Sequence, residues 1–305
     1  MGLVDNPSQI KNKIKREEVL KRVRAEKNKA KHEMRIRRKK LEQANPELKE
    51  ERIKTNIPRT IENAKEYQEA IVDNDDEVFA DEDTDEFANF FGGESSPKIC
   101  VTTNMRPTAQ MHIFAKEFAT MFPTAEVRKR GTFEIKQIID FCKQRDYTDL
   151  IVLHEDKKQD GPNAAIFIHL PEGPTAYFKL SNLVYSSQIK GADRPGAQHA
   201  PEIILNNFNT RLGHTIGRYF ASMFPPQPDF HGRVAITFHN QRDFIFVRRH
   251  RYVFESKEKV KLVECGPRFT LKLRWLQRGT FDTKYGDYEW SFAQKMETSR
   301  RKFFL

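Results

Sequence analysis

The segment GPRFTLKLRWLQRG, Gly266 to Gly279, carries the densest chemistry in the chain. Laid out as a strand, it sends Phe269, Leu271, Leu273 and Trp275 to one side and Arg268, Thr270, Lys272 and Arg274 to the other. Alternate side chains then stand about 6.6 Å apart, comparable with phosphate spacing along a nucleic-acid strand. The chemistry of such a row is polyanion binding, with cations and a hydroxyl held on an apolar support. A solvated antiparallel face has the same pattern, but three cations without a matching acidic strand favour RNA. The wider stretch from Arg233 to Arg278 holds 12 Lys+Arg against 4 Asp+Glu.

Two other cationic groups are candidates. Arg248, Arg249 and Arg251 follow the apolar run Phe244 to Val247, which reads as core. They are expected at a turn, either binding phosphates or simply solvated, with His250 adding charge at lower pH. Arg211, His214 and Arg218 fall at i, i+3 and i+7, one side of a helix whose core stripe is Leu212, Ile216, Phe220 and Met223. Gly213 and Gly217 leave that helix thin, and packing against a sister half is the preferred reason.

Catalytic signatures are missing: no phosphate loop, no Gly-rich dinucleotide turn, no H-E-x-x-H and no G-x-S-x-G. His169 near Glu172, and His154 beside Glu155-Asp156, read as polar groups at strand ends rather than acid–base pairs. Cys100, Cys142 and Cys265 are too scattered for a zinc knuckle or a disulfide framework and suit a reducing compartment. The expectation is a protein with no enzymatic activity, no cofactor and no metal. A membrane role is not expected either, since no apolar run approaches bilayer length.

The elements that must position these residues can be read from periodicity. Strands are expected at 98–102, 150–153, 164–170, 175–181, 234–238, 243–247, 251–254 and 269–275, and helices at 109–122 and 133–145. Gly173 supplies the positive φ of a turn that makes 164–170 and 175–181 an antiparallel pair. A shift of 102 positions aligns Val101–Pro123 with Ile203–Pro225 without a gap, at 8 identities in 23. Both copies read strand, polar turn, amphipathic helix and a Phe-Ala-x-Met-Phe-Pro stop, so two α/β halves with mixed sheets are expected.

The net charge of +10 over 305 residues is unevenly spread. Lys11 to Lys40 holds 15 Lys+Arg against 4 Asp+Glu, whereas Asp73 to Glu94 has 10 acidic residues and no basic one. These divisions suggest a basic helical extension at 1–72, an acidic flexible linker at 73–96, a globular domain at 97–281 and a tail at 282–305. Within the domain the halves fall at about 97–190 and 201–281, joined by the connector Gly191 to Pro201. The extension has too few apolar residues for its own core and is expected to fold against a partner, to bind RNA or to direct nuclear import.

LPEGPT followed by Ala-Tyr-Phe-Lys-Leu, the duplicated halves and GPRFTLKLRWLQRG together resemble the Brix-domain proteins of eukaryotic ribosome assembly. Thr60-Ile-Glu-Asn63, His239-Asn-Gln-Arg-Asp243, Arg248-Arg-His-Arg-Tyr252 and Arg300-Arg-Lys-Phe-Phe-Leu305 extend the resemblance over nearly the whole chain. It implies two similar α/β halves related to anticodon-binding-like folds, and a non-enzymatic RNA-binding assembly factor of the large (60S) subunit. The implied location is the nucleus and nucleolus. The implied partners are pre-ribosomal RNA, other assembly factors and ribosomal proteins, the proteins engaged through the N-terminal helices. The family's RNA-binding segment falls on roughly 258–275, which gives that role to Lys259, Lys261, Arg268, Thr270, Lys272 and Arg274. A protein–protein adaptor within pre-ribosomal particles is the alternative.

Overall fold

The computed structural model describes the chain apart from residues 1–9, 58–59, 61, 67–69, 73–75, 94, 157–160, 193–198, 257–258 and 300. Pro58, Glu258, Arg300 and much of the Gly191–Pro201 connector therefore lie outside the described residues. Residues 1–64 and 65–305 form two separate units.

In the first unit, α1 (Lys13–Ala44) starts where the Asn12 side chain accepts the N–H groups of Ile14 and Lys15. α2 (Pro46–Thr55) begins at Pro46, whose missing N–H is harmless at a first helical position. Neither helix buries a single residue. Ile14, Leu20, Met34, Ile36 and Leu41 are exposed along α1, in keeping with a segment too polar to make its own core.

The second unit opens with the acidic stretch, and here the expected flexible linker is replaced by structure. α3 (Asp76–Glu82) and α4 (Ala88–Phe91) form within it, and Val78, Phe87 and Phe90 are buried. Phe87 is fully enclosed, with its ring 5.0 Å from that of His169 and 5.3 Å from that of Tyr219. Burying a Phe is worth about 1.5–3 kcal/mol, enough to anchor a highly charged segment.

The first half of the repeat then runs β1 (Ile99–Thr103), α5 (Ala109–Ala119), β2 (Ala125–Val127), α6 (Ile135–Lys143), β3 (Asp149–Glu155), β4 (Pro162–His169) and β5 (Thr175–Val184). The second is β6 (Glu202–Asn206), α7 (Arg211–Ser222), β7 (Val234–Gln241), β8 (Phe244–Phe254), β9 (Val260–Glu264), β10 (Arg268–Gln277) and β11 (Tyr288–Ser291). The two copies match in detail. Thr108 accepts the Met111 N–H at the start of α5 and Thr210 accepts the Gly213 N–H at the start of α7. Their Phe-Pro stops meet, with the rings of Phe122 and Phe224 4.8 Å apart.

The halves share one mixed sheet rather than having one each. Its order is β2-β1-β3-β4-β5-β10-β8-β7-β6, with β11 on β10 and β9 on β8. Parallel pairs occur only between β1 and β2, β1 and β3, and β6 and β7 among the described residues. The seam is the antiparallel β5–β10 pair. It is clamped where Gly173, at φ 119°, lies against the backbone of Arg278 and Gly279 and the Thr175 hydroxyl donates to the Gly279 carbonyl at 2.8 Å. An added Cβ at Gly173 would sit 2.5 Å from the Arg278 carbonyl oxygen. The expected tail is integral too: β11 pairs with β10, and Leu305 is buried against the main core.

Both α5 and α7 pack on one face of the sheet, in a core containing Phe114, Phe118, Phe167, Phe178, Phe220 and Phe269. On the opposite face, α6 covers the first half through Ile138, Ile139 and Cys142. The second half passes from α7 directly to β7 and has no counterpart of β2 and α6. Among the described residues its outer face therefore carries no α-helix of its own.

Candidate nucleic-acid interface

The helix-free face is built by strand alternation and register. Lys179 and Ser181 come from β5, and Arg268, Thr270 and Lys272 from β10. β8 adds Phe244, Phe246, Arg248, His250, Tyr252 and Phe254, which read as one aromatic and cationic row along an 11-residue strand. Phe254 is 65% exposed, Leu262 stands exposed opposite Tyr252, and Lys179 is exposed. Glu202 accepts the Tyr252 hydroxyl and pushes that phenol up to about 12, so it stays a neutral stacking surface.

The tail closes one end of the face. Lys272 is 16% exposed, its Nζ 3.0 Å from Glu297 Oε1 and between the rings of Phe244 at 4.7 Å and Phe292 at 4.9 Å. Arg274 lies 4.8 Å over Phe292, whose N–H donates to the Arg274 carbonyl. Register slips between Leu273 and Trp275, a bulge that turns Trp275 away from the Phe269 side to stack on Tyr177 at 5.3 Å. The expected four-residue apolar row is thus three residues long, and Thr270 is buried rather than offered to a ligand.

The remaining candidates separate by face. Arg268 is half-exposed and donates to Glu264 at 3.3 Å. Lys259 and Lys261 both reach Glu255 at 2.8 Å, in that order holding its carboxyl below the usual range, and both stay exposed. No turn follows Val247: Arg248, Arg249 and Arg251 sit within β8 and alternate. Arg248 faces the open side, donating to the Val247 and Phe269 carbonyls, and burial draws its guanidinium below the ordinary value. Arg249 is buried on the α5 side, donating to the Thr120 hydroxyl, and is removed from any surface role. Arg251 points the same way as Arg249, away from the helix-free face.

The α7 group is occupied by the acidic stretch. Arg218 makes a bidentate pair with Asp85 at 2.6 and 2.8 Å, donates to the Glu82 carbonyl at 2.6 Å and lies 4.2 Å over Phe91. His214 meets Glu82 at 2.7 Å and Arg211 reaches Glu77 at 3.7 Å. What approaches Gly213 is the C-terminal Leu305, with Phe208, rather than the sister half.

The imagined acid–base pairs have structural roles. His169 Nδ1 contacts the buried Asp149 carboxylate at 2.9 Å, not Glu172. Glu155 accepts both the N–H and the hydroxyl of Thr108 at the start of α5. Among the described residues no group of three or more His, Cys, Asp or Glu could hold a metal, and no helix is long and apolar enough to cross a membrane.

The Brix domain model matches residues 104–275. The chain belongs to the Brix-domain family. That match begins just after β1 and ends within β10, so it takes in both α5 and α7 and the β5–β10 seam between the halves. This Brix-domain chain is similar to ribosome production factor 1 of Mus musculus, at 49% identity over 300 residues, covering 98% of this chain and 84% of that protein. It is similar to ribosome production factor 1 of Saccharomyces cerevisiae at 46% over 303 residues, covering 98% and 99%. Among solved structures, a probable ribosomal biogenesis protein from Aeropyrum pernix K1 aligns at 14% identity with a TM-score of 0.43, covering 58% of this chain and 96% of that one.

Sequence reasoning missed Lys179, Phe246, Tyr252 and Phe254. The signal was present in the i, i+2 alternation from Phe244 to Phe254, and it was lost because Arg-Arg-His-Arg was read as a turn.

Proposed function

We propose that this chain is a ribosome biogenesis factor of the large-subunit (60S) pathway. It binds pre-ribosomal RNA through the helix-free face of its second half and catalyses no reaction. The relatives' name, ribosome production factor 1, supports the first part. The observation that carries RNA binding is the β8 row, where Phe246, Tyr252 and Phe254 bracket Arg248 and His250 on the face that also bears Lys179 of β5 and Arg268 of β10. Aromatic faces stack on unpaired bases while flanking cations meet phosphates, the arrangement single-stranded RNA requires. A nucleolar location and the engagement of other assembly factors by the exposed apolar residues of α1 complete the reading.

Salt dependence tests it. Each neutralised phosphate of a single strand contributes about −0.7 to the slope of log K against log salt. Lys179→Ala/Arg268→Ala flattens that slope by up to roughly 1.4, the Arg268 guanidinium being 38% exposed beside Glu264, whereas Lys272→Ala, 16% exposed and covered by Phe244, Phe292 and Glu297, changes it far less. An unchanged slope in the double variant rejects this face. The second reading, a protein–protein adaptor, is favoured by the exposed Val260, Leu262 and Phe254 beside the edge strand β9. It predicts partner capture that survives nuclease treatment.

A further inference from the structure

A cavity of about 420 Å³ opens at the other end of the sheet, between β1, the loop after β2, and α6. Its lining holds four cations, Arg128, Lys129, Arg130 and Arg145, and no carboxylate. Arg128 is compensated from outside the lining by Glu126 at 2.5 Å. Among the described residues, Lys129 and Arg145 form no ion pair. The cations also hold the aromatic wall in place. Arg130 Nε donates to the Phe133 carbonyl at 2.9 Å and Arg145 Nη1 to the Phe141 carbonyl at 3.4 Å. The two rings meet edge to face at 5.3 Å, and Phe133 is 48% exposed at the mouth. Buried Cys100 and Cys142 make the floor small and weakly polar.

We propose that this cavity takes one unpaired nucleotide of an RNA, the base stacking on Phe133 and entering the cavity, its phosphate held by Lys129, Arg130 and Arg145. Three features favour that occupant: a planar apolar entrance, a rim of one charge sign, and a volume in the range of small-ligand sites. Burial also draws the Arg130 guanidinium below its ordinary value, and an anion at the rim relieves that cost. The inference rests on the RNA-binding reading. It adds a contact at the opposite end of the sheet from the β8 row, so that one RNA would touch both halves.

The test uses the full chain and two anionic probes: a fluorescent single-stranded uridine oligomer, and inorganic polyphosphate, which has charge but no bases. Phe133→Ala weakens oligomer binding roughly five- to tenfold, the lower end of base-stacking losses, and leaves polyphosphate binding unchanged. Phe133→Trp restores oligomer binding. Lys129→Ala/Arg130→Ala weakens both probes, and photocrosslinks from the oligomer fall on Phe133 or Phe141. Equal losses of both probes in Phe133→Ala, or wild-type affinity with no adduct near Phe133, overturn the proposal while RNA binding stands. Saturable binding of free uridine monophosphate that the oligomer cannot displace overturns RNA as the source. A chain that binds no RNA at all overturns this proposal and the RNA reading together.

Discussion

Replacing Arg218 with alanine removes five interactions between α7 and the acidic stretch: two N–H donations to Asp85, one to the Glu82 carbonyl, the 3.7 Å ion pair with the Glu82 carboxylate, and the stack on Phe91. The side chains of Arg218 and Asp85 are 17% and 19% exposed, so the pair lies outside the regime in which solvent-exposed ion pairs contribute only about 0–1 kcal/mol. Hydrogen bonds to charged groups contribute about 1.5–3 kcal/mol, and breaking a buried pair by removing one partner costs about 3–5 kcal/mol. Partial solvent access places Arg218→Ala at about 3 kcal/mol and Asp85→Ala at about 2 kcal/mol. The coupling in a double-mutant cycle is then roughly 1.5–2 kcal/mol. Urea denaturation of the full chain and its three variants reads these values from the midpoints and slopes. Phe87→Ala, at a fully enclosed ring, adds a second measure at about 3–5 kcal/mol. A coupling below about 0.5 kcal/mol, with Phe87→Ala costing less than about 1 kcal/mol, is what an undocked linker gives. That result refutes the reasoning that residues 76–91 are part of the fold.

Gly173→Ala forces a side chain into a left-handed backbone and against the Arg278 carbonyl. Strained φ/ψ alone costs about 1–3 kcal/mol, so thermal denaturation should show a Tm drop of at least about 2 °C, at roughly 2–4 °C per kcal/mol for a unit of this size. His169 gives a pH prediction. Burial opposes its charged form, but the Asp149 carboxylate and Glu86 together outweigh burial and raise the ring above its ordinary value. A raised folded-state value means the stabilisation is fully present below the ordinary histidine range and is lost as pH rises through the folded value. The stability gap between the wild type and His169→Gln should therefore narrow from pH 6 to pH 8, followed by chemical denaturation; a gap that widens contradicts the assignment.

Much of the frame was legible because it depends on local periodicity. The turn at Gly173, the strand pair it joins, β10 and the 102-residue repeat all follow from alternation and positive-φ chemistry, and the structure has each of them. The acidic stretch was misread because ten carboxylates dominate its composition, while its docking depends on Phe87 and Phe90 and on partners more than a hundred residues away. Its amphipathic Phe-Ala-Asn-Phe-Phe segment was the available signal. The site was half legible. Alternation put Arg268 and Lys272 on the outer face, but only tertiary packing shows that Glu297 and Phe292 of the C-terminal segment close over Lys272. The bulge that redirects Trp275 is set by pairing with β5, which no local pattern encodes. Likewise the outer face is open because the second half lacks a counterpart of β2 and α6, a difference outside the aligned repeat.

The most direct test of the central claim is photocrosslinking of the full chain to a single-stranded pre-ribosomal RNA fragment, with the adducts located by mass spectrometry. Adducts on the β8 row, at Phe246, Tyr252 or Phe254, and on the neighbouring Lys179 and Arg268 are the predicted result. Efficient crosslinking that spares residues 244–254, Lys179 and Arg268 entirely would contradict it.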